Sequence, residues 1–384
     1  MPAPDVLIVG GGVVGLSLAR ELSRRDRSVT VLERDAVGAR TGAASWAGAG
    51  MLPPASREHA VAPLDRLRAY SHGLWDDWAA GLTEDAGVDP GYERRGTIEA
   101  FLQPSGEGGE DDPSPYLAAR LSPGVRWEPL TPDHPHRPPL GEAVAAAIRV
   151  PDAGQVRNPR LLKALRAACL SEGVELREGI AVRSLRREGN RTPGVRTESG
   201  DQAAGAVVVC GGAWTARLTA EVGFAPPIHP VRGQIALLRC DTRPFLPTIE
   251  CGPWYLVPRA DGRVLVGATQ EPEAGFDART TVCGVAGLLD FARQLVPSLR
   301  DAAVERTWAG LRPGSPDGVP LLGRVPSPCG GRFENLFVAA GHFRDGLQQS
   351  PGTAAILADL LDGLPPAIDL DGFVPDRFLS SGDR

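Results

Sequence analysis

Asp5-Val6-Leu7-Ile8-Val9-Gly10-Gly11-Gly12-Val13-Val14-Gly15 is an apolar run that passes directly into a glycine-rich turn. A helical pattern follows over 16–22, and the run 28–33 is predicted to form a second strand that ends in an acid. Strand, glycine turn, helix, strand and acid in this order are the βαβ fingerprint of a dinucleotide site. The sequence therefore predicts a bound dinucleotide at the first turn of the chain.

Single residues of this segment have separate predicted roles. Gly10 permits the tight turn, Gly12 lets the backbone approach a pyrophosphate, and Gly15 lets the helix pack closely on the strand. The helix N-terminus offers N–H groups to the phosphates. Glu33, at the end of the second strand, is predicted to bind the ribose hydroxyls.

Length and charge restrict the class of protein. The chain has 384 residues, of which 42% are hydrophobic, and is therefore long enough for two domains. The net charge of −6 gives no reason to expect nucleic acid or an anionic membrane as a partner. The basic residues are nearly all arginine and form no basic stripe. Lys163 is the one lysine, which argues against Schiff-base chemistry.

Cysteine usage and apolar content predict a cytoplasmic protein without a metal site. The six cysteines are scattered with no CxxC pair, which is typical of reduced thiols, and no other ligands cluster near His134 and His136. The longest apolar stretch, 6–19, contains glycines and is too short to span a bilayer. The chain enters the nucleotide fold at once, which leaves no room for a signal peptide.

Patterns along the chain predict a fold of the α/β and α+β classes, in which an antiparallel sheet is inserted into a nucleotide-binding domain. The nucleotide-binding domain is predicted to be discontinuous, over 1–85, 150–225 and 320–384. The inserted substrate-binding domain is predicted to take 86–149 and 226–319.

Apolar periodicity and turn residues predict the individual elements. Helices are predicted over 64–82, 159–172, 282–295 and 350–362. Strands are predicted over 96–101, 173–178, 206–214 (ending in glycines), 233–239, 254–258, 264–269 and 336–341, and a strand pair over 182–198. A loop of small residues is predicted over 38–56, and exposed loops over 103–115 and 129–141. The strand 173–178 is expected to rejoin the nucleotide sheet.

The segment after the last predicted strand favours a flavin over a nicotinamide. His342-Phe343-Arg344-Asp345-Gly346-Leu347 lies between the strand 336–341 and the helix 350–362. Exposed N–H groups there would face the pyrimidine side of a flavin and stabilise the negative charge that develops on reduction.

Several blocks of sequence, spread from residue 5 to about 362, carry a resemblance that covers nearly the whole chain. They are Ala49-Gly50-Met51-Leu52, Tyr255-Leu256-Val257-Pro258-Arg259, Val266-Gly267-Ala268-Thr269, Trp308-Ala309-Gly310-Leu311-Arg312-Pro313-Gly314, Asp317-Gly318 with Gly323-Arg324, and Ala339-Ala340-Gly341-His342-Phe343-Arg344. In their order and spacing the chain resembles the glycine oxidases of the thiamine-pathway type, within the D-amino-acid oxidase family of FAD enzymes. The resemblance implies a Rossmann-like FAD-binding domain of the glutathione-reductase type, and a homotetramer. No cysteine is placed for a covalent flavin bond, so non-covalent FAD is expected.

The resemblance also implies a role for individual residues. Arg312 would clamp the substrate carboxylate, Tyr255 would assist it by hydrogen bonding, and Arg344 would lie beside the substrate. Glu33 and Arg34 would lie at the adenine ribose, and Val182 would meet the adenine through its backbone. The residues implied for FAD are Gly10, Gly12, Val13, Val14, Gly15, Glu33, Arg34, Ala44, Ser45, Ala49, Gly50, Met51, Val182, His342, Phe343, Arg344, Asp345, Gly346, Leu347 and Gln348.

The implied reaction is the oxidative deamination of glycine by hydride transfer from Cα to flavin N5, with O2 reduced to H2O2. The imine would be hydrolysed to glyoxylate and ammonia, or used for the thiazole of thiamine. The protein would mainly position the substrate, and the planar guanidinium of Arg312 suits a carboxylate because it forms a bidentate pair.

Other functions remain open on the sequence. Enzymes of the same fold include sarcosine, D-amino-acid and D-proline oxidases, dehydrogenases that pass electrons to a quinone, and enzymes that form hydrogen cyanide. A tRNA-modifying flavoprotein or a non-catalytic FAD-binding module is disfavoured by the absent basic stripe and by the retained arginine block. Gln270 replaces an apolar side chain that family members can carry near the substrate, and it is expected to favour small or polar substrates or to alter the entrance.

Overall fold

Two large sheets organise the computed structural model, which describes residues 3–39, 42–102 and 123–379. The described strands are β1 (Val6–Val9), β2 (Val29–Glu33), β3 (Met51–Leu52), β4 (Glu93–Arg94), β5 (Thr97–Leu102), β6 (Glu128–Pro129), β7 (Val144–Val150), β8 (Gly154–Gln155), β9 (Glu175–Glu178), β10 (Val182–Leu185), β11 (Gly194–Thr197), β12 (Gly200–Ala203), β13 (Ala206–Val209), β14 (His229–Arg239), β15 (Thr248–Cys251), β16 (Trp254–Pro258), β17 (Arg263–Gly267), β18 (Ala303–Gly314), β19 (Leu321–Pro326) and β20 (Arg332–Ala340).

The described α-helices pack mainly against the first sheet. They are α1 (Val13–Ser23), α2 (Ala44–Ala47), α3 (Pro63–Ala86), α4 (Asn158–Ser171), α5 (Thr215–Thr219), α6 (Val282–Leu295) and α7 (Ser350–Asp362). Short 3-10 helices occur at Gly212–Trp214, Ala220–Val222, Pro272–Ala274, Pro297–Asp301 and Pro375–Phe378.

The first sheet has the strand order β19-β20-β13-β1-β2-β9 and is parallel except for β19. Both of its faces are covered, as expected for a parallel sheet. Ile8 faces a core formed with helices α1, α3, α4 and α7, whereas Leu7 and Val9 face a second core that includes strands β10 and β11. The strand β9 pairs with β2, so the prediction that this segment rejoins the nucleotide sheet is confirmed.

Steric crowding explains the glycines of the first turn. Gly10 has a φ of +113°, and a Cβ there would lie 2.4 Å from the carbonyl oxygen of Cys210. A Cβ on Gly15 would lie 2.0 Å from the carbonyl oxygen of Gly10. Glycine is therefore required at both positions for β1, α1 and β13 to approach as they do.

The second sheet has the order β18-β14-β17-β16-β15-β5-β7-β6 and is antiparallel except where β15 runs parallel to β5. Helix α6 packs on one face through Leu288, Phe291 and Leu295. The register aligns one row of residues on the other face, in the order Glu99, Glu250, Tyr255 and Gly267.

The predicted α/β and α+β class is confirmed, but several local predictions are wrong. The loop predicted over 38–56 contains α2 and β3, and the strand pair over 182–198 is three strands, β10–β12. Strands β7 and β15 were not predicted; β7 pairs with β5, and β15 pairs with the distant β5 and with the adjacent β16. The predicted loop 103–115 lies outside the described residues. The domain boundaries stay a prediction, although strands from the predicted inserted segments build the second sheet.

Membrane-spanning helices and disulfides are both absent from the part of the chain that the structure describes. No described helix is both long enough and apolar enough to cross a membrane. All six cysteines are described, and each is a free thiol. Burial raises the pKa values of Cys169 and Cys210 to about 12, which keeps these two thiols protonated and unreactive.

Candidate active site

A cavity of about 760 Å³ lies where the carboxyl ends of the first sheet meet the second sheet. One part of its wall comes from the turn after β1 and from the ends of β13 and β20, and another part comes from β5, β15, β16 and β18. Ligands of open α/β sheets bind at the carboxyl ends of the strands, so this is the expected position for a nucleotide. The predicted site residues that line the cavity are Gly10, Gly12, Val13, Val14, Glu33, Arg34, Ala44, Ser45, Ala49, Gly50, Met51, Val182, Tyr255, Arg312, His342, Phe343, Arg344, Asp345, Gly346 and Leu347.

Two predicted site residues do not line the cavity. Gly15 lies one turn into α1, where its role is the close packing described above. Gln348 is fully buried, and its Nε2 donates to the carbonyl oxygen of Arg68 at 2.8 Å. The Gln348 side chain therefore holds the segment 342–348 against α3.

The glycine turn and the start of α1 form one end of the cavity. The helix begins after Gly12 without a side-chain cap from that residue. Ser45 Oγ accepts a hydrogen bond from the N–H of Val13 at 3.0 Å, which ties the segment of α2 to the turn. Glu33 accepts from the N–H groups of Gly11 at 2.7 Å and Asp35 at 3.0 Å. A helix N-terminus beside a fixed carboxylate suits the phosphates and ribose of a nucleotide.

Aromatic and cationic side chains build the wall beyond Glu33. The guanidinium of Arg34 lies 4.7 Å from the ring centre of Trp214, and that of Arg217 lies 3.7 Å from the ring centre of Phe276. Val182, Trp214 and Arg217 all line the cavity. Trp214 and Arg217 were not predicted as site residues, although Trp214 is the last residue of the predicted strand 206–214 with its glycines.

A buried guanidinium supports the wall formed by Ala49 and Gly50. Arg259 is 6% exposed, and its Nη2 donates to the carbonyl oxygen of Ala49 at 2.6 Å. Its Nη1 donates to Gln155 Oε1 and to the carbonyl oxygen of Val156, both at 3.2 Å. Burial lowers the pKa of Arg259 to about 10, so it remains a cation at neutral pH. Arg259, the last residue of the block 255–259, therefore supports this cavity wall through hydrogen bonds to backbone carbonyl oxygens and to Gln155.

The segment 342–348 closes the cavity between β20 and α7. Arg68 Nε of α3 donates to Asp345 Oδ2 at 3.0 Å, and the N–H of Phe343 donates to the carbonyl oxygen of Pro313 at 3.0 Å. His342 is buried, with Nε2 3.1 Å from Thr353 Oγ1. Burial lowers the pKa of His342 to about 4, so the imidazole is neutral at physiological pH.

Arg312 and Tyr255 form the polar group of the second sheet. Arg312 Nη1 donates to the carbonyl oxygen of Thr269 at 3.0 Å. The guanidinium passes over Gly233 and the phenol ring over Gly267, where added Cβ atoms would lie 2.3 Å from Arg312 Nη1 and 2.5 Å from the Tyr255 ring. The two glycines therefore provide the space that both side chains occupy.

The electrostatics of this pair favour a bound anion. Burial lowers the pKa of Arg312, and the positive charge of Arg344 adds to the lowering. Burial raises the pKa of Tyr255, against the opposing charges of Arg312 and Arg344, so its hydroxyl stays protonated. Within the described residues Arg312 has no ion-pair partner. A desolvated guanidinium without a counter-ion binds a carboxylate strongly, because the charge-assisted bonds replace lost hydration.

Two cavity-lining acids were missed in the sequence. Glu99 and Glu250 line the cavity and are neighbours in the row that continues to Tyr255. No local pattern marks them, because strand register alone places residues from β5 and β15 side by side.

Gln270 lies outside the cavity lining. Its side chain is exposed and does not line the cavity, whereas Thr269 directly before it accepts a hydrogen bond from Arg312 through its carbonyl oxygen. The effect of Gln270 on substrate choice or on the entrance stays a prediction.

The residues at the end of the cavity formed by the glycine turn and the start of α1 fit FAD. The cavity is within the usual size range for cofactor sites, and it joins a phosphate-binding turn to the segment 342–348. Backbone crowding excludes a side chain at Gly10, and a Cβ on Gly12 would lie 3.1 Å from Ser45 Oγ, so the backbone is left bare for a pyrophosphate. The fold and the site together define a nucleotide-dependent redox enzyme.

Comparison with known proteins identifies the family. A family model described as FAD dependent oxidoreductase matches residues 5–360. The chain is 35% identical over 376 residues to the glycine oxidase of Pseudomonas putida, covering 97% of this chain and 98% of that one. It is 36% identical over 384 residues to the bifunctional protein ThiO/ThiG of Synechocystis, covering 98% of this chain and 54% of that protein. The crystal structure of glycine oxidase from Geobacillus kaustophilus matches with a TM-score of 0.87 and 35% identity, covering 99% of this chain and all of that one.

The chain therefore belongs to the D-amino-acid oxidase family of FAD-dependent oxidoreductases. The expected family, FAD as cofactor and an oxidase of amino acids are confirmed at this level. The roles of single site residues stay predictions.

Proposed function

We propose that this protein oxidises glycine with FAD and O2, giving H2O2 and an imine that is hydrolysed to glyoxylate and ammonia. One observation carries the proposal: Arg312 faces the same cavity as the glycine turn, without an ion-pair partner among the described residues. The glycine oxidases of Pseudomonas putida and Geobacillus kaustophilus, with similarity over their full lengths, support glycine as the substrate.

Arg312 and Tyr255 orient the substrate. The guanidinium binds the carboxylate in a bidentate pair, and the protonated Tyr255 hydroxyl donates a further hydrogen bond. A clamp at the carboxylate fixes the direction of Cα without contacting it, so the protein contributes mainly position. When bound, FAD supplies the two-electron acceptor for the hydride from Cα.

The segment 342–348 borders the cavity on the cofactor side, and two of its titratable groups are held by neighbouring side chains. His342 is neutral at physiological pH and accepts or donates only toward Thr353 within the described residues. Because Asp345 is bound to Arg68, its carboxylate does not compete with the substrate carboxylate for Arg312. The residues proposed to hold FAD are those of the glycine turn, Glu33, Arg34, the segment 44–51, Val182 and the segment 342–348.

A direct assay tests the proposal. Purified holoenzyme is given glycine, sarcosine, D-alanine and D-proline in air, and peroxide and glyoxylate are measured. Equal amounts of peroxide and glyoxylate from glycine, with the highest kcat/KM of the four, are expected. Higher kcat/KM with sarcosine or a D-amino acid would reassign the substrate. Flavin bleaching without peroxide would identify a dehydrogenase with another electron acceptor.

We further propose a cytoplasmic homotetramer whose imine product serves thiazole formation. The resemblance to the glycine oxidases of the thiamine pathway and the bifunctional ThiO/ThiG of Synechocystis support this role. Light scattering tests the assembly, and four times the mass of the 40.5 kDa chain is expected. A monomer mass would contradict the tetramer, and restored thiamine-independent growth of a strain lacking its own enzyme tests the pathway.

A further inference from the structure

The loop 268–281, between β17 and α6, contacts both ends of the cavity from outside. All of its residues are described, and none of them lines the cavity. At one end, the carbonyl oxygen of Thr269 accepts the hydrogen bond from Arg312 Nη1 at 3.0 Å. At the other end, Phe276 packs against the wall beyond Glu33. The loop therefore connects the carboxylate clamp to the cofactor end of the cavity.

Arg232 fixes this loop to β14. Its backbone N–H donates to the carbonyl oxygen of Glu271 at 3.2 Å, and the N–H of Glu271 donates back to its carbonyl oxygen at 3.0 Å. Arg232 Nε donates to Glu271 Oε2 at 2.6 Å, and Nη1 donates to Asp277 Oδ2 at 3.2 Å. Arg232 is 8% exposed and does not line the cavity. One buried cation therefore holds the loop on both sides of its 3-10 turn, Pro272–Ala274.

Gln234, two residues further along β14, completes the anchor. It is fully buried, and its N–H donates to Thr269 Oγ1 at 2.9 Å while its Nε2 donates to Glu271 Oε1 at 2.7 Å. Burial alone would raise the pKa of Glu271, but hydrogen bonds from Thr269, Arg232 and Gln234 lower the pKa below its usual value. The carboxylate is therefore ionised at neutral pH, and its bonds to Arg232 are charge-assisted. The residue that orients Arg312 is held by the same group.

Phe276 connects the anchored loop to the cofactor end. Its ring centre lies 5.5 Å from that of Trp214, and the guanidinium of Arg217 lies 3.7 Å from it. Trp214 in turn contacts the guanidinium of Arg34. Within the described ranges Arg217 has no ion-pair partner, so the aromatic face is its main support. Trp214, Arg217 and Arg34 all line the cavity.

We infer that Arg232 and Phe276 are positioning residues, Arg232 for both ends of the cavity and Phe276 for the cofactor end. The part that concerns glycine rests on the proposed function, because Arg312 must bind the substrate carboxylate. Neither side chain lines the cavity, so both act through other residues. The loop stays bound to β14 when the Phe276 ring is removed, so loss of the ring should affect Arg312 much less than loss of the Arg232 guanidinium.

FAD affinity and glycine kinetics of Arg232→Gln test the first part. Glutamine cannot bind Glu271 and Asp277 together, and it leaves both carboxylates without their cation. We expect the Kd for FAD and the KM for glycine each to rise at least fivefold, and kcat at saturating FAD to change less than KM. If Arg232→Gln does not fold, Arg232→Lys has the same expectation, with a rise of at least twofold in each quantity. An unchanged Kd or an unchanged KM would overturn the inference.

Arg25 provides a matched control for Arg232. It also binds two carboxylates, since Nη1 donates to Asp359 Oδ1 at 2.8 Å and to Asp362 Oδ2 at 3.2 Å, and it lies outside the cavity. Arg25→Gln is expected to keep the Kd for FAD and the KM for glycine within twofold of the wild type. Equal rises in Arg25→Gln and Arg232→Gln would mean a general loss of stability and would overturn the inference.

Phe276→Ala tests the second part. The Kd for FAD is expected to rise at least threefold, with a rise in the KM for glycine less than half that of Arg232→Gln. Phe276→Tyr retains the aromatic face and should retain the FAD affinity. Phe378→Ala is the matched control, because Phe378 also lies beneath an arginine, Arg377 at 4.4 Å, but outside the cavity. Equal FAD affinities in the two alanine variants would overturn the role of Phe276.

A double-mutant cycle links Phe276 to Arg217. FAD affinity is measured in Phe276→Ala, in Arg217→Gln and in the double variant. Because the ring supports the guanidinium, the loss of affinity in the double variant is expected to be smaller than the product of the two single losses. A loss equal to that product would mean that the two residues act independently, and would overturn the role of Phe276.

Binding without turnover gives an independent measurement of the clamp. Acetate, a carboxylate without an amine, is titrated into the FAD-loaded variants, and the flavin absorbance is recorded. The Kd for acetate is expected to rise at least fivefold in Arg232→Gln and less than half as much in Phe276→Ala. If the wild type does not oxidise glycine, the proposed function fails, whereas the FAD affinities still test both residues. If glycine is oxidised but Arg232→Gln leaves the constants for FAD, glycine and acetate unchanged, only this inference fails.

Discussion

Arg312 carries a desolvated positive charge, which is unfavourable for the stability of the fold but suited to binding an anion. The guanidinium is placed over Gly233, bonded to the carbonyl oxygen of Thr269 and flanked by the Tyr255 ring, without an ion-pair partner in the described part of the chain. Burial of a charge without a counter-ion destabilises a fold. A bound carboxylate would offset this cost, which agrees with the proposed role of Arg312 in substrate binding.

Replacement of Arg312 tests this role. In Arg312→Ala, the KM for glycine is expected to rise at least tenfold with FAD retained, because a charge-assisted pair contributes about 1.5–3 kcal/mol, or one to two powers of ten in affinity. Steady-state kinetics and the flavin absorbance measure both quantities. Arg306→Ala on the same strand is the control, and an unchanged KM in Arg312→Ala would remove this residue from the clamp.

His342 predicts a pH dependence of stability. Burial lowers its pKa to about 4 from 6.5, so between these values the unfolded chain binds a proton that the folded chain does not. Its contribution to stability is therefore complete above pH 6.5 and is lost as the pH falls toward 4, by roughly 3 kcal/mol. We expect the acid-induced loss in the free energy of unfolding to be smaller in His342→Gln than in the wild type.

Denaturant unfolding at several pH values measures this difference. His229→Gln, on an exposed histidine, is the control and should follow the wild-type curve. If His342→Gln loses as much stability as the wild type between pH 6.5 and 4, His342 is protonated in the folded protein in this range. That result would contradict the lowered pKa.

At the scale of elements, backbone contacts hold the segment 49–51 against the start of α4. The N–H of Val156 donates to the carbonyl oxygen of Gly50 at 2.8 Å, and Arg259 binds the neighbouring carbonyl oxygen of Ala49. Gly50 has a φ of +81°, and a Cβ there would lie 2.0 Å from the carbonyl oxygen of Val156. This wall of the cavity therefore depends on the absence of a side chain.

Gly50→Ala is expected to displace this wall and weaken FAD binding at least tenfold. Gly87→Ala is the matched control, because Gly87 also has a positive φ of +60° but has nothing within 4 Å of an added Cβ. The control should lose only about 1 kcal/mol of stability, from backbone strain, and should keep its FAD. Fluorescence titration of the apoproteins with FAD measures the affinity, and equal FAD affinities in the two variants would contradict the steric explanation.

Elements with local signals could be predicted from the sequence, whereas those that depend on distant partners could not. Helix α6 occupies the predicted residues 282–295, because its apolar periodicity and its start at Thr281 are both local. Strand β15 was missed because it is short; it forms a hairpin with the adjacent β16, and its other partner, β5, lies far away in the sequence. Helix α2 was missed since a run of small residues has no amphipathic period.

At the scale of the whole molecule, the cavity joins residues from opposite ends of the chain. The glycine turn and Glu33 could be predicted from local pattern alone. Arg312, Tyr255 and Arg344 could be predicted as site residues only from the family resemblance. Glu99 and Glu250 could be predicted neither from local pattern nor from the resemblance. Their placement depends on strand register in the second sheet, which no short window of sequence records.

In the proposed function, one cavity brings the carboxylate clamp of the second sheet to the cofactor of the first sheet. Anaerobic addition of glycine to the holoenzyme, with the flavin absorbance recorded, tests this most directly. The wild type should lose its yellow absorbance at a glycine concentration that leaves FAD-loaded Arg312→Ala oxidised. A wild type that stays yellow, or an Arg312→Ala variant that bleaches equally fast at that concentration, would contradict the claim.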